Sequence, residues 1–174
     1  NDALALIVQK FGGDALGDKG KGKDRAEDSA LFGAEFLADK FMHMAKIVKR
    51  TRDEGHQVVL VVSAMGDATN RLLAMANTLH KTPPARELDM LMATGEQQSI
   101  ALMAIALTSL GVPAMSFTGT QVGIQTEKFF GGARITEISD ERLKEAIQDG
   151  YVPVVAGFQG GTEVTDYLGP VSRP

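Results

Sequence analysis

Three short runs of apolar residues along the chain predict strands that are buried on both faces. They are Leu4 to Val8, Val58 to Val62 and Val152 to Ala156. Continuous apolar runs of this length are typical of a mainly parallel sheet covered by helices on both sides. A fourth, shorter strand is predicted from Pro113 to Phe117.

Between these runs the apolar residues recur at helical spacing. Helices are predicted over residues 41–52, 68–79, 87–110 and 140–148. The third is long and largely apolar, and it could be interrupted at Thr94 and Gly95. Ser139 is the expected N-cap of the last helix, because its hydroxyl can accept a hydrogen bond from a backbone amide of the first turn.

The resulting order, β-α-β-α-α-β-(β)-α-β, predicts an α/β fold with a three-layer α-β-α sandwich and a mainly parallel sheet. The 174 residues, 44% of them hydrophobic, suffice for one domain or a large part of one. Residues 18–40 depart from the pattern and are interpreted as an insert. Its first part is a Lys- and Gly-rich surface loop, and its second part, residues 28–40, predicts an extra helix.

Composition narrows the classes of function. A net charge of −4 argues against a nucleic-acid-binding protein, which would carry a basic excess. The absence of cysteine excludes disulfides, a thiol nucleophile and a zinc–thiolate site, and it fits a reducing compartment. No apolar run reaches the length of a membrane span, and the first run lacks the basic leader of a signal peptide. A cytoplasmic protein without a membrane partner is therefore expected.

The end of the first predicted strand carries the first candidate chemistry. Lys10 is followed by Phe11, Gly12 and Gly13. Glycines allow backbone amides to converge on an anion, and a lysine meets phosphate oxygens as a point charge. Because open α/β sheets bind ligands at the carboxyl ends of their strands, this turn predicts a phosphate site. The alternative for Lys10 is an ordinary surface cation at a strand end.

Six segments in a fixed order together resemble the catalytic domain of the aspartokinases. They are VQKFGG from Val8, VVSAMGDAT from Val61, ELDMLMATGEQQSI from Glu87, GVPAMSFTG from Gly111, GGARITEI from Gly131 and VVAGFQG from Val154. The resemblance covers nearly the whole chain. It implies the amino acid kinase fold, ATP with Mg²⁺, and L-aspartate as the acceptor whose side-chain carboxylate becomes aspartyl phosphate. This product opens the route to lysine, threonine, methionine and isoleucine.

The resemblance also implies roles for individual residues. Lys10 matches the lysine that contacts the transferred phosphate, and Gly12 and Gly13 match the turn that cradles it. The residues that match the amino acid site of the family are Ser63, Thr69, Glu96, Phe158 and, less directly, Arg134.

Each of these residues has a purely structural alternative. Ser63 and Thr69 could be turn or N-cap hydroxyls, and Thr69 could cap the helix that follows. Glu96 could be an exposed glutamate at a helix kink, although a carboxylate in an apolar helix requires a cation if it is buried. Phe158 could belong to the core. Arg134 could pair with Glu137 or Asp140.

The chain departs from the family pattern at two places. Asp14 stands where the family has a hydroxyl residue after the glycines, and Pro170 stands at the position of an arginine of the aspartate site. The resemblance also implies a nucleotide-binding half after this point, which the 174 residues do not include. Three explanations remain open: a fragment of an aspartokinase, a degenerate homologue, or a half supplied by another polypeptide. The alternative function is a non-catalytic ligand-binding or assembly module on the same fold.

A homo-oligomer is expected by analogy with related kinases. The apolar segment from Leu31 to Met44 is the candidate contact between copies, because Phe32, Phe36 and Leu37 require burial against the domain or against a second chain.

Overall fold

The computed structural model describes residues 4–12, 29–128, 130, 132, 134–157, 160–161 and 167–168. In this part of the chain the strands are β1 (Leu6–Phe11), β2 (Gln57–Val62), β3 (Ala114–Phe117), β4 (Ile124–Thr126), β5 (Ile135–Ile138), β6 (Val152–Ala156), β7 (Gly160–Gly161) and β8 (Tyr167–Leu168). The helices are α1 (Ser29–Asp53), α2 (Ala68–Leu79), α3 (Ala85–Ser109) and α4 (Glu141–Gln148).

The strands form two sheets. The main sheet has the order β1-β2-β6-β3, and its paired strands are all parallel. The second sheet has the order β5-β4-β7-β8 and contains two antiparallel pairs. The predicted mainly parallel sheet is confirmed. Where the predicted order has one strand in parentheses, between residues 117 and 140, the structure has two strands, β4 and β5.

Helices cover the main sheet from both sides, as a three-layer sandwich requires. On one face the alternate residues Val58, Leu60 and Val62 of β2 join a core cluster with α1 and α3. On the other face Val59 of β2 lies in a second cluster with Ala146 of α4. The period-2 alternation of strand side chains thus divides β2 between two cores.

Helix α1 corrects the interpretation of the insert. An extra helix over residues 28–40 was expected to be separate from the helix over residues 41–52, but α1 is one continuous helix of 25 residues. Apolar residues continue at helical spacing across the expected boundary, so nothing stops the helix there. Phe41 and Met44 are both buried in the core. The Nζ atom of Lys40 lies 4.6 Å from the centre of the Phe36 ring, within the range of a cation–π contact. Residues 18–28 of the expected insert lie outside the described residues.

The structure also excludes one proposed N-cap and two alternatives that the sequence left open. Helix α3 passes through Thr94 and Gly95 without a break. Asp140, not Ser139, is the N-cap of α4; Ser139 directly follows β5, and its amide donates a hydrogen bond to the Gly123 carbonyl at 3.0 Å. Asp67 precedes α2 as its N-cap, so Thr69 lies inside the helix instead of capping it.

Strand β1 differs most from its prediction. It extends beyond Val8 to Phe11, and it is not buried on both faces, since Leu6 is 57% exposed and Val8 is 64% exposed. The reason is its position: β1 pairs with β2 at one end of the described sheet order. Helix α1 reaches only one of its faces, where the Gln9 Nε2 atom donates a hydrogen bond to the Thr51 hydroxyl at 3.1 Å.

The register of β1 is fixed at several points. Lys10 lies opposite Val61 and Phe11 opposite Val62. Before the strand, the Ala5 amide donates a hydrogen bond to Nδ1 of His56 at 3.2 Å. None of the described helices is long and apolar enough to cross a membrane.

Candidate functional site

The carboxyl ends of β1, β2 and β6 meet at one edge of the main sheet. The backbone ladder continues one residue past two of these strands: the Ser63 amide donates to the Phe11 carbonyl at 3.2 Å, and the Gly157 amide donates to the Val62 carbonyl at 2.9 Å. Gly12, Ser63 and Gly157 therefore follow three neighbouring strand ends. This is the edge at which parallel α/β sheets bind their ligands.

Lys10 and Ser63 lie on the same face of the sheet at this edge. Lys10 is opposite Val61 in the β1–β2 register, and Ser63 follows Val61 by two residues. Ser63 is buried, whereas Lys10 and Gly12 are exposed. A Cβ atom added at Gly12 would meet nothing within 4 Å, so packing does not account for the glycine.

Gly157 makes room for the Ser63 hydroxyl. A Cβ atom at Gly157 would lie 3.3 Å from Ser63 Oγ and 3.4 Å from the Val62 carbonyl oxygen. The first of these distances is tight for a side-chain contact, so any larger residue would press on the hydroxyl. The glycine after β6 thus belongs to the geometry of the site, although the sequence interpretation did not single it out.

Glu96 approaches the same edge from the opposite face, where α3 packs on the sheet. Only 8% of Glu96 is exposed, and no kink separates it from the rest of α3. Burial raises the pKa of Glu96 from 4.5 to about 7, while hydrogen bonds from the backbone amides of Glu96 and Ala64 act in the other direction. The alternative of an exposed glutamate at a kink is excluded.

Ala64 therefore joins the two halves of the site. It follows Ser63 directly, and its amide hydrogen-bonds the Glu96 carboxylate. The resulting site places a lysine on one face of the strand ends and a buried carboxylate on the other. Such an arrangement is suited to a ligand with a negative group and a positive group.

Thr69 is near this edge in the chain, in the first turn of α2, which begins five residues after Ser63. It is half-buried. Arg134 belongs to a different element. It is exposed and directly precedes β5 of the second sheet, where its amide donates a hydrogen bond to Glu127 Oε1 at 3.3 Å. Asp140, one of the ion-pair partners considered for Arg134, pairs instead with Lys144 at 2.8 Å.

Gly13 and Phe158 lie outside the described residues, as do Asp14 and Pro170. Their assignments therefore stay predictions. Within the described residues, no group of three or more His, Cys, Asp or Glu side chains could hold a metal ion.

Asp89 is a buried carboxylate that the sequence interpretation missed. It is 1% exposed and lies on α3 two turns before Glu96, so both residues face the same side of the helix. The available signal was the seven-residue spacing of two carboxylates within an otherwise apolar face. A carboxylate buried this deeply requires polar partners.

Comparison with known proteins identifies relatives of this chain. The model of the amino acid kinase family matches residues 5–172. Aspartokinase of Thermus thermophilus is 39% identical over 159 residues, which cover 91% of this chain and 35% of the relative. The chain thus spans about a third of the length of the curated relatives it matches.

Solved structures give the same picture. Aspartate kinase from Synechocystis superimposes with a TM-score of 0.67 at 41% identity, covering 89% of this chain and 22% of that one. E. coli aspartokinase III in complex with aspartate and ADP superimposes with a TM-score of 0.68, covering 97% of this chain and 43% of that one. At 19% identity the second likeness concerns the fold alone.

Proposed function

Since the chain belongs to the amino acid kinase family, we propose that it catalyses ATP-dependent phosphorylation of the side-chain carboxylate of L-aspartate. The support is the similarity to aspartokinases at about 40% identity over most of the chain, together with the two-sided site. The product, aspartyl phosphate, is the starting point for lysine, threonine, methionine and isoleucine.

The buried Glu96 is the observation that carries the choice of an amino acid as the acceptor. A buried, ionised carboxylate is costly without a cation, and the α-ammonium group of an amino acid supplies that cation. Acceptors without an ammonium group, such as carbamate or a nucleotide, would leave the negative charge of Glu96 without a neighbouring cation. Glutamate would satisfy Glu96 as well, and the similarity to aspartokinases favours aspartate.

In the proposed reaction a β-carboxylate oxygen of aspartate attacks the γ-phosphorus of ATP. A carboxylate–phosphorus bond forms, the bond from the γ-phosphorus to the bridging oxygen of ADP breaks, and ADP leaves with the electron pair. The attacking carboxylate is already ionised, so no general base is required. The main obstacle is the approach of two anions, which at about 4 Å repel by about 4 kcal/mol at an effective dielectric constant of about 20.

We propose that Lys10 offsets this repulsion as a fixed positive charge at the transferred phosphate. Gly12 would allow the backbone amides to approach the phosphate oxygens, consistent with the open space around its α-carbon. Ser63 would donate its hydroxyl to the acceptor, and Thr69, Phe158 and Arg134 complete the proposed amino acid site.

Magnesium is proposed to arrive bound to the phosphates of ATP, because Mg²⁺ commonly takes only one or two protein carboxylates. Its charge would neutralise the phosphates. The described residues do not by themselves form a metal site, so no step is assigned to a protein-held ion.

The test is a hydroxylamine trap applied to the full natural polypeptide. With ATP, Mg²⁺, aspartate and hydroxylamine, aspartyl hydroxamate should form at a rate far above that of a Lys10→Ala control. Equal rates in both proteins, or a product that forms without aspartate, would contradict the proposal. Binding of aspartate without binding of ATP would instead support the non-catalytic module.

We also propose a cytoplasmic homo-oligomer, whose contact between copies lies on α3 and not on the segment from Leu31 to Met44. Phe41 and Met44 of the expected segment are already buried in the core. In contrast, Leu102 and Ile105 of α3 are 40% and 65% exposed, and residues 97–126 contain no charged residue. Two copies with a net charge of −4 could meet there without opposing like charges. Light scattering of an Ile105→Glu variant, compared with wild type, tests this contact by the loss of the larger species.

A further inference from the structure

Gly95 occupies an unusual position for a glycine. It is buried in the interior of α3, a helix of 25 residues that continues unbroken through it. Glycine in a helix interior is less favourable than alanine by about 1 kcal/mol. A glycine there calls for a packing reason.

The packing reason is a close approach between α3 and the residue that follows Ser63. A Cβ atom added at Gly95 would lie 3.1 Å from the Cβ atom of Ala64 and 3.8 Å from Cδ1 of Leu72. The distance to Ala64 is shorter than ordinary van der Waals contact, so a side chain at residue 95 would push α3 and Ala64 apart.

Glu96, the next residue along α3, also contacts Ala64. The Glu96 carboxylate accepts a hydrogen bond from the Ala64 amide. Gly95 and Glu96 therefore meet the same residue, the first through its missing side chain and the second through a polar contact. A change in the separation of α3 from Ala64 would act on both.

We propose that Gly95 is a positioning residue: its missing Cβ atom sets the depth at which α3 packs against Ala64, and this depth holds the Glu96 carboxylate on the Ala64 amide, ready for the substrate ammonium group. The inference rests on the proposed function for the identity of that ammonium group. The contact between Gly95, Ala64 and Glu96 is independent of it.

The charged side chains on the surrounding elements take no part in the contact between Gly95, Ala64 and Glu96. Asp67 and Arg71 at the start of α2 pair with each other at 3.7 Å and are exposed. Lys10 lies on β1, and Asp89 lies two turns away on α3. A methyl group at residue 95 would leave all four charges in place and act on the backbone hydrogen bond of Glu96.

Helix α1 shares a core cluster with α3 that includes Phe41 and Ile100, and a further contact, between the Ser109 hydroxyl and the sulfur of Met42 at 3.5 Å, lies at the end of α3 away from Gly95.

A Gly95→Ala variant is expected to separate stability from substrate binding. Alanine favours the helix, while the clash with Ala64 moves α3 outward by a few tenths of an ångström. The hydrogen bond from Ala64 favours the ionised form of Glu96, so a longer bond raises the pKa of Glu96 and weakens the hold on the ammonium group. We expect the KM for aspartate at neutral pH to rise roughly 10-fold, with a much smaller change in kcat.

The matched control moves the methyl group to the other side of the contact. In the double variant Ala64→Gly with Gly95→Ala, the added Cβ atom at residue 95 no longer meets one at residue 64. The carboxyl titration of Glu96, followed by NMR with ¹³C-labelled glutamate, and the KM for aspartate should both return toward wild type. The single Ala64→Gly variant reports the cost of the new glycine alone.

Two outcomes would overturn the inference. One is a Gly95→Ala protein with the wild-type Glu96 titration and the wild-type KM. The other is a double variant that fails to restore them, since the contact with Ala64 would then not be the cause. If Gly95→Ala does not fold alone, a folded double variant with a wild-type titration supports the inference, and two unfolded proteins overturn it.

Failure of the proposed function gives a different result. A wild-type protein without aspartate-dependent activity would refute the kinase assignment. The NMR titration would still decide whether Gly95 positions Glu96.

Discussion

Replacing Glu96 with glutamine should make the protein more stable above about pH 7 and weaken the binding of aspartate at the proposed amino acid site. The substitution nearly keeps the shape of the side chain, removes the charge and leaves one acceptor oxygen for the backbone amides. Glu96 is 8% exposed, and burial raises its pKa from 4.5 to about 7. Burial therefore destabilises the ionised form of Glu96 in the folded protein as long as no cation binds next to it.

The magnitude follows from the pKa shift. The difference between 4.5 and about 7 is about 2.5 units, and at about 1.4 kcal/mol per unit it corresponds to about 3 kcal/mol. Between these pH values the folded state binds more protons than the unfolded state, so the free energy of unfolding falls as pH rises through this window and levels off above it. The loss is absent below about pH 4.5, where Glu96 is neutral in both states.

Urea denaturation of both proteins at several values between pH 5 and pH 8 tests this reasoning. The stability of Glu96→Gln relative to wild type should grow with pH by up to about 3 kcal/mol, while calorimetry at pH 8 should show at least about 10-fold weaker aspartate binding. The matched control is Glu87→Gln on the same helix, whose carboxylate is exposed and pairs with Arg86; its difference from wild type should stay within about 0.5 kcal/mol. Parallel stability curves for wild type and Glu96→Gln would refute the argument.

Other substitutions test the remaining parts of the site and the core. Lys10→Ala should lower kcat by about 10²- to 10³-fold in the hydroxamate assay and leave aspartate binding by calorimetry nearly unchanged. Gly157→Ala should raise the KM for aspartate, because the new methyl group would lie 3.3 Å from Ser63 Oγ; a Ser63→Ala background should reduce the effect. Gly123→Ala, at a φ of 74°, should lower the free energy of unfolding by about 1–3 kcal/mol in urea titrations. Leu60→Ala, at a fully buried position, should lower it by about 2–5 kcal/mol.

The sequence predicted the strands and helices that one local pattern determines. Val152 to Ala156 coincides with β6, because both faces of this strand are buried and its residues are almost all apolar. The helix over residues 68–79 coincides with α2. In these segments period, length and flanking residues agree, so little depends on distant parts of the chain.

The errors arose where a distant contact decides the local structure. Gly95 reads as a helix breaker on its own, and only the approach of Ala64 explains why the helix continues. Val8 reads as buried, and only the sheet order reveals the position of β1. The close contact between Gly157 and Ser63 joins residues far apart in the chain, and no local pattern indicates it.

Among the candidate site residues, Lys10 and Glu96 were found from the sequence because each is a charge in an apolar context. Their positions on opposite faces of the main sheet, at the edge formed by the strand ends, are determined by the fold and not by a local pattern. Asp89 was missed, since its spacing from Glu96 becomes meaningful only once α3 is known to be a single helix facing the sheet.

The pairing register of β1 with β2 determines on which face of the sheet Lys10 lies. Side chains alternate between the two faces of a strand, so a slip of one residue against β2 would exchange the positions of Lys10 and Phe11. The cation would then point toward α1, and the phenyl ring would take its place. The hydrogen bonds from Gln9 to Thr51 and from Ala5 to His56 therefore help to fix the register of β1, and with it the face on which Lys10 lies.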